Sequence, residues 1–269
     1  MLKRVLVAVV GIPALLCIFS AAPAWATMLL LSAICAVGVY ELLNAVVSEA
    51  LRGMILPVAV VVAVLIPICI GFDWQWLPLL AMCYVFLLFW KSIRHYGGER
   101  AIPFSDVTAA IFAGLVFPLM ISCLLRLRLM QNGTVLVWVP LAISFGSDTF
   151  ALFGGMLCGK HKLAPLVSPK KTVEGGIGGL LGGVIGLSLL HVVSALVTGK
   201  GFFTWWEIVI FGVVGSVVSQ IGDLSFSVIK REFGVKDYGN LLPGHGGVLD
   251  RFDSVTFVAP FVWFIFSIL

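Results

Sequence analysis

Charge is scarce in this chain: 17 Lys+Arg and 13 Asp+Glu amount to only 11% of 269 residues, against about 25% in an ordinary soluble domain. That poverty excludes a water-soluble single domain, a disordered chain and a basic nucleic-acid binder, so nucleic acid is not an expected partner. Period-2 alternation is also missing, and the apolar runs are too long for strands. Lipid-exposed backbone must then satisfy its own hydrogen bonds within each segment, which helices do. Cys-x-x-Cys spacing is absent too. Cys17, Cys35, Cys69, Cys83, Cys123 and Cys158 each stand alone in apolar surroundings, which predicts buried thiols packing as small hydrophobes, with neither a disulfide framework nor a zinc site.

Apolar side chains, by contrast, make up 61% of the sequence, enough for roughly eight spans of about 20 residues. Runs punctuated by Gly, Pro or charge fall near 5–22, 26–47, 54–71, 75–90, 107–125, 134–158, 173–198, 205–229 and 254–269. They predict an all-α, polytopic transmembrane helix bundle of about nine helices, one integral membrane domain over 1–269. The first run, with Lys3 and Arg4 before it and Ala24-Trp25-Ala26 after it, resembles a secretory signal peptide; with everything downstream already membrane-embedded, it is read as a retained helix.

Nine crossings put the loops at 48–53, 91–106, 159–172 and 230–253 on one face. That face carries Arg52, Lys91, Arg94, Arg100, Lys160, Lys162, Lys170, Lys171, Lys230, Arg231, Lys236 and Arg251, leaving Lys3, Arg4, Arg126, Arg128 and Lys200 for the other. The excess of basic residues makes the first face cytoplasmic in a cell (inner) membrane.

The chemistry is concentrated in the second half. Residues 1–130 hold few polar groups inside their helices, chiefly Glu41 and Asn44, and read as scaffold. Farther on, Ser216, Ser219, Gln220, Asp223, Ser227 and Lys230 recur at helical spacing along one face, with Asp223 about 10 Å below Lys230 at 1.5 Å per residue. Ser144, Ser147 and Asp148 make a shorter stripe, Asp148 standing about 16 Å before Gly159 by the same rise. Acids inside membrane helices cost a few kcal/mol and call for a wet cavity, a cation or a basic partner.

The stretch Gly159 to Thr172 concentrates four lysines and runs into a helix start, with Thr172 as candidate N-cap and Glu174 in the first turn. Lysines and exposed helix amides suit a polyphosphate, although basic loops also occur on the cytoplasmic side of any membrane protein. Gly154 to Lys160 spells G-x-x-x-x-G-K, but His161 replaces the Ser or Thr of a P-loop and no strand precedes it. The glycines at 175, 176, 178, 179, 182, 183 and 186 form small-xxx-small ladders for close helix packing. His191 reads as a satisfied interior histidine.

The densest segment, Ser227 to Asp253, brings Lys230, Arg231, Lys236 and Arg251 beside Asp237, Asp250 and Asp253, with Pro-Gly-His-Gly-Gly at 243–247 bending the backbone. Cations would take phosphate oxygens and carboxylates a hard metal such as Mg²⁺; a charge-neutralised solvated loop is the alternative.

These residues resemble the phosphatidate cytidylyltransferase (CDP-diglyceride synthase) family. Its pattern S-x-x-K-R-x4-K-D-x5-P-G-H-G-G-x2-D-R-x-D is matched at every fixed position from Ser227 to Asp253, and a second block resembles Ser147-Asp148-Thr149, Gly159 to Leu163 and Ser168 to Gly175. The resemblance covers roughly 144–253. It implies a multi-pass, Mg²⁺-dependent enzyme of phospholipid biosynthesis, a homodimer, that joins CTP to phosphatidate, giving CDP-diacylglycerol and pyrophosphate. K⁺ as a second cation fits the same picture. Asp223 and Asp250 would hold Mg²⁺, with Asp148 and Asp253 nearby. Catalytic roles fall to Asp223, Asp250, Lys230, Arg231, Lys236, Asp237, His245 and Arg251. Substrate binding falls to Ser147, Asp148, Lys160, Lys162, Ser168, Lys170, Lys171, Thr172, Glu174, Ser227, Gly246 and Gly247. The attacking phosphate oxygen is already anionic near neutral pH, so charge screening and alignment matter more than a base, which demotes His245. A CTP-dependent prenol-type lipid kinase and an ion or phosphate transporter are the alternatives; the first would release CDP without pyrophosphate, and the second finds no inverted repeat in the sequence.

Overall fold

The computed structural model describes residues 9, 11, 13–199, 201–241 and 246–268. His245, and residues 5–8, 10 and 12 of the first predicted run, therefore lie outside the described residues. Eight described helices are long and apolar enough to cross a membrane, and this is a multi-pass helical membrane protein. We number them α1 (Ala24–Val46), α2 (Glu49–Gly71), α3 (Leu77–Arg94), α4 (Phe104–Leu129), α5 (Gly133–Cys158), α6 (Val173–Thr198), α7 (Trp205–Glu232) and α8 (Leu249–Ile268). A two-stranded antiparallel hairpin, β1 (Lys162–Ala164) and β2 (Ser168–Thr172), joins α5 to α6.

The chain forms two compact units. One comprises Met1–Leu129 with Phe233–Phe252, the other Met130–Glu232 with Asp253–Leu269. In the first, a π-helical turn at Cys17–Ala21 precedes α1, and a second, Phe112–Val116, widens α4. The second widening has a local role. Gly114 leaves room for the ring of Tyr84 from α3, whose hydroxyl donates to the Ala110 carbonyl oxygen at 2.7 Å inside the unit. Pro57 and Pro67 sit within α2, a placement membrane helices accommodate when neighbours re-satisfy the freed backbone groups.

In the second unit, the glycine ladder does what its spacing predicts. A Cβ at Gly182 would strike the Gly146 carbonyl oxygen, one at Gly186 the Ala142 carbonyl, and one at Gly178 would come within 2.8 Å of the Phe150 carbonyl. Helices α5 and α6 thus meet backbone to backbone, with dispersion between closely apposed main chains replacing the hydrophobic drive that lipid removes. Gly154, which opened the P-loop look-alike, serves the same crossing with its neighbour Gly155: a Cβ at Gly154 would sit 3.3 Å from the Glu174 carbonyl oxygen. Helix α7 follows, with Gly212 against Val184 and Gly222 against Phe257 of α8.

Three expectations are corrected. All six cysteines are free, as predicted, but Cys17, Cys83 and Cys158 are exposed on the chain's surface; on a membrane helix, apolar sequence surroundings do not distinguish an inward side chain from a lipid-facing one. The stretch at 159–172 is not a plain loop but contains the hairpin, and α8 begins at Leu249, earlier than the apolar run, so that Asp250, Arg251 and Asp253 are helical.

Candidate active site

In the second unit the two polar stripes converge with the hairpin. Ser216, Ser219, Ser227 and Lys230 of α7 are all buried, so the predicted face does turn inward. Strand β2 aims alternate side chains to opposite sides: Lys171 reaches the Asp223 carboxylate and forms an ion pair with its Oδ2, whereas Lys170 is exposed. Ser227 Oγ donates to Asp223 Oδ1 at 3.4 Å. Asp253, 8% exposed, lies within electrostatic reach of Asp223, Lys230 and Asp148. Asp148 itself is exposed on α5. Ser254 Oγ stands 3.1 Å from Asp148 Oδ2 and 3.2 Å from Asp253 Oδ1, sharing one proton between two carboxylates. Sequence reasoning missed Ser254; its place directly after Asp253, the last acid of the motif, is the only signal that could have found it.

The hairpin is pinned from both ends. Thr172 caps α6 as predicted, its Oγ1 accepting the Gly175 N–H at 3.1 Å. The Glu174 carboxylate accepts the backbone N–H groups of Lys160 and His161 at 3.0 and 3.2 Å, and His161 Nδ1 at 2.6 Å. Arg231 at the end of α7 donates Nε–H to the Val167 carbonyl at 3.0 Å. Lys160 and Lys162 are exposed, and Ser168 is half-buried in β2 opposite Ala164.

In the first unit, the segment after α7 carries the rest of the motif. Asp250 Oδ2 accepts the N–H groups of Tyr238 and Gly247 at 2.9 and 3.0 Å, closing the stretch into a loop. Gly246 has φ +80°, a left-handed conformation that glycine adopts without steric cost. Lys236, Asp237 and Arg251 are exposed. A cavity of about 760 Å³ lies between α1 and this segment, with Tyr40, Glu41, Asn44, Asp237, Tyr238 and Asn240 among its lining.

The donor set fits hard cations. Mg²⁺ is commonly held by one or two carboxylates, with substrate phosphates and waters completing its shell. No group of three or more His, Cys, Asp and Glu able to enclose a metal occurs among the described residues. Beside the acids, the buried hydroxyl oxygens of Ser144, Ser147, Ser216 and Ser219 have no hydrogen-bond partner among the described residues. A Cβ at Gly179 would press on Ser147 and one at Gly183 on Ser216, one turn apart on α6. Neutral hydroxyls of this kind suit water or a weakly hydrated monovalent cation.

Residues 2–269 match the model of the cytidylyltransferase family. The chain belongs to that family. It is 38% identical over 160 residues to a phosphatidate cytidylyltransferase of Bacillus subtilis, covering 60% of this chain and 56% of that protein. A phosphatidate cytidylyltransferase of Staphylococcus saprophyticus is 47% identical over 114 residues, 42% of each chain. One of Rickettsia bellii is 36% identical over 162 residues, 60% of this chain and 70% of that one. The aligned stretch thus spans about half the length of the first two relatives.

Proposed function

We propose that this protein transfers the cytidylyl group of CTP to phosphatidate, giving CDP-diacylglycerol and pyrophosphate, with the site facing the cytoplasm. The observation that carries the reading is the meeting of Asp148, Asp223 and Asp253 with Lys171 and Lys230 in one membrane-helical unit. Ionisable groups inside membrane helices are costly and mark functional sites with a named partner, here the lysines and a bound cation, and the family supplies the cytidylyl chemistry.

A phosphate oxygen of phosphatidate would attack the α-phosphorus of CTP, a new P–O bond forming as the bond to the pyrophosphate oxygen breaks. Bound Mg²⁺ would screen the phosphate charges and ease departure of pyrophosphate. The motif resemblance assigns Asp223 and Asp250 as its ligands, with Asp148 and Asp253 beside them; that Asp148, Asp223 and Asp253 share one unit supports the grouping of those three. Lys171 holds Asp223 in place and, with Lys170, Lys230, Arg231, Lys236 and Arg251, would neutralise the nucleotide and lipid phosphates. The four unpartnered serine hydroxyls are where K⁺ would fit. Ser254 fixes the spacing of two acids through its shared proton.

The test is to incubate purified protein with CTP, phosphatidate and Mg²⁺ in mixed micelles, and to measure pyrophosphate together with a cytidine-bearing lipid. Both are expected in equal amounts, lost on EDTA and restored by Mg²⁺. CDP release without pyrophosphate would instead indicate a kinase. The homodimer is tested by mass photometry in detergent. Orientation is tested by labelling a Lys170→Cys variant from either side of sealed vesicles, with reaction expected from the cytoplasmic side.

A further inference from the structure

Glu41 read from sequence as a stray polar group in scaffold, yet its surroundings give it a specific task. It lies in α1, 3% exposed, and both carboxylate oxygens accept backbone protons from the far end of the chain: Oε1 from Val248 N–H at 3.0 Å and Oε2 from Leu249 N–H at 2.9 Å. These are two of the four N–H groups that the start of α8 leaves without an intrahelical partner, and the carboxylate also opposes the positive end of that helix. Two glycines close on it, Gly247 of the motif and Gly239 within its variable stretch. A Cβ at Gly247 would come within 2.5 Å of Glu41 Oε2, and one at Gly239 would strike Oε1. Gly247 has no left-handed backbone to require glycine, so the carboxylate is what keeps that position small.

We propose that Glu41 is a positioning residue: a remote cap of α8 that holds residues 237–241 and 246–249, Asp237 and the backbone fixed by Asp250 among them, in their working geometry and so shapes the wall of the 760 Å³ cavity that Glu41 and Asp237 share. The inference rests on the cytidylyl-transfer reading, because it assigns the loop to catalysis. Glu41 touches no reacting atom; it acts through the loop.

The full-length protein in detergent is compared as wild type, Glu41→Gln, Gly247→Ala, Glu41→Ala and the Glu41→Ala/Gly247→Ala pair, with kcat normalised to folded protein from size-exclusion and melting profiles. Glutamine keeps the volume but turns an NH₂ toward one of the two N–H donors. A displacement near 1 Å in an aligned site costs up to about 100-fold, so Glu41→Gln is expected to lose roughly 10- to 100-fold in kcat at unchanged folded yield. Gly247→Ala should lose a similar factor in the wild-type background and little more in Glu41→Ala, where the methyl has room. Hydrogen exchange at the Val248 and Leu249 amides should accelerate in Glu41→Ala. A Glu41→Gln kcat within twofold of wild type, or an equal Gly247→Ala loss in both backgrounds, overturns the inference. If Glu41→Gln fails to accumulate, Gly247→Ala supplies the same perturbation from the other side, and wild-type turnover there overturns it. Wild type forming no cytidylylated lipid would sink the functional reading instead; the exchange measurement then still decides whether Glu41 holds the loop.

Discussion

Replacing Asp223 by asparagine removes one negative charge and almost nothing else. The amide keeps the carboxylate's shape and can still accept the Ser227 hydroxyl, while Lys171 loses its anion. Because the side chains of Lys171 and Asp223 are 27% and 23% exposed, water screens the pair, and its loss should cost no more than about 1 kcal/mol of stability. The chemical cost is of another order. A ligand that helps bind a divalent ion against developing phosphate charge is worth several kcal/mol, and at 1.36 kcal/mol per decade a loss of about 3–5 kcal/mol is a fall of roughly 10² to 10⁴ in turnover. The assay pairs initial rates of lipid-linked cytidine, followed by mass spectrometry over a Mg²⁺ titration, with a melting curve in the same detergent. The expected result is a nearly unchanged melting temperature with turnover down at least a hundredfold. A rate within threefold of wild type would remove Asp223 from the reaction. Lys171→Met gives the mirror image: three acids left with less compensating charge should bind Mg²⁺ at lower concentration yet turn over slowly.

Two further outcomes test the packing and the hairpin. Gly182→Leu should prevent α5 and α6 from meeting, because the Gly146 carbonyl occupies the space a side chain needs, and is expected to cost about 3 kcal/mol or more; Gly53→Ala in α2, with nothing within 4 Å, should be neutral or up to about 1 kcal/mol stabilising, both read from melting temperature. Glu174→Ala should free the Lys160 and His161 amides, seen as faster hydrogen exchange and easier proteolysis at the hairpin, while Gly175 stays protected by Thr172.

Membrane helices announce themselves because lipid demands length and apolarity within each segment, so the runs at 26–47, 173–198 and 205–229 find α1, α6 and α7 within a few residues. The stripe on α7 was equally legible, since a helix must turn its hydroxyls, amide and acid away from lipid. The hairpin was not, because Ser-Pro-Lys-Lys-Thr has neither apolar alternation nor a recognisable turn signal. Nor was the early start of α8: its first turn is polar, and hydropathy cannot see a helix whose cap comes from Glu41, 207 residues away from Val248.

Local chemistry in the chain thus determined that this is a helical membrane protein of the cytidylyltransferase kind, and which residues carry charge into it. Only tertiary structure decided that Lys171 and not Lys170 pairs with Asp223, that Ser254 joins two acids, and that Glu41 belongs to the motif loop and not to passive scaffold. The reason is physical: burial in lipid constrains each helix by itself, whereas an ion pair or a remote cap exists only once distant backbone has been brought within hydrogen-bond reach.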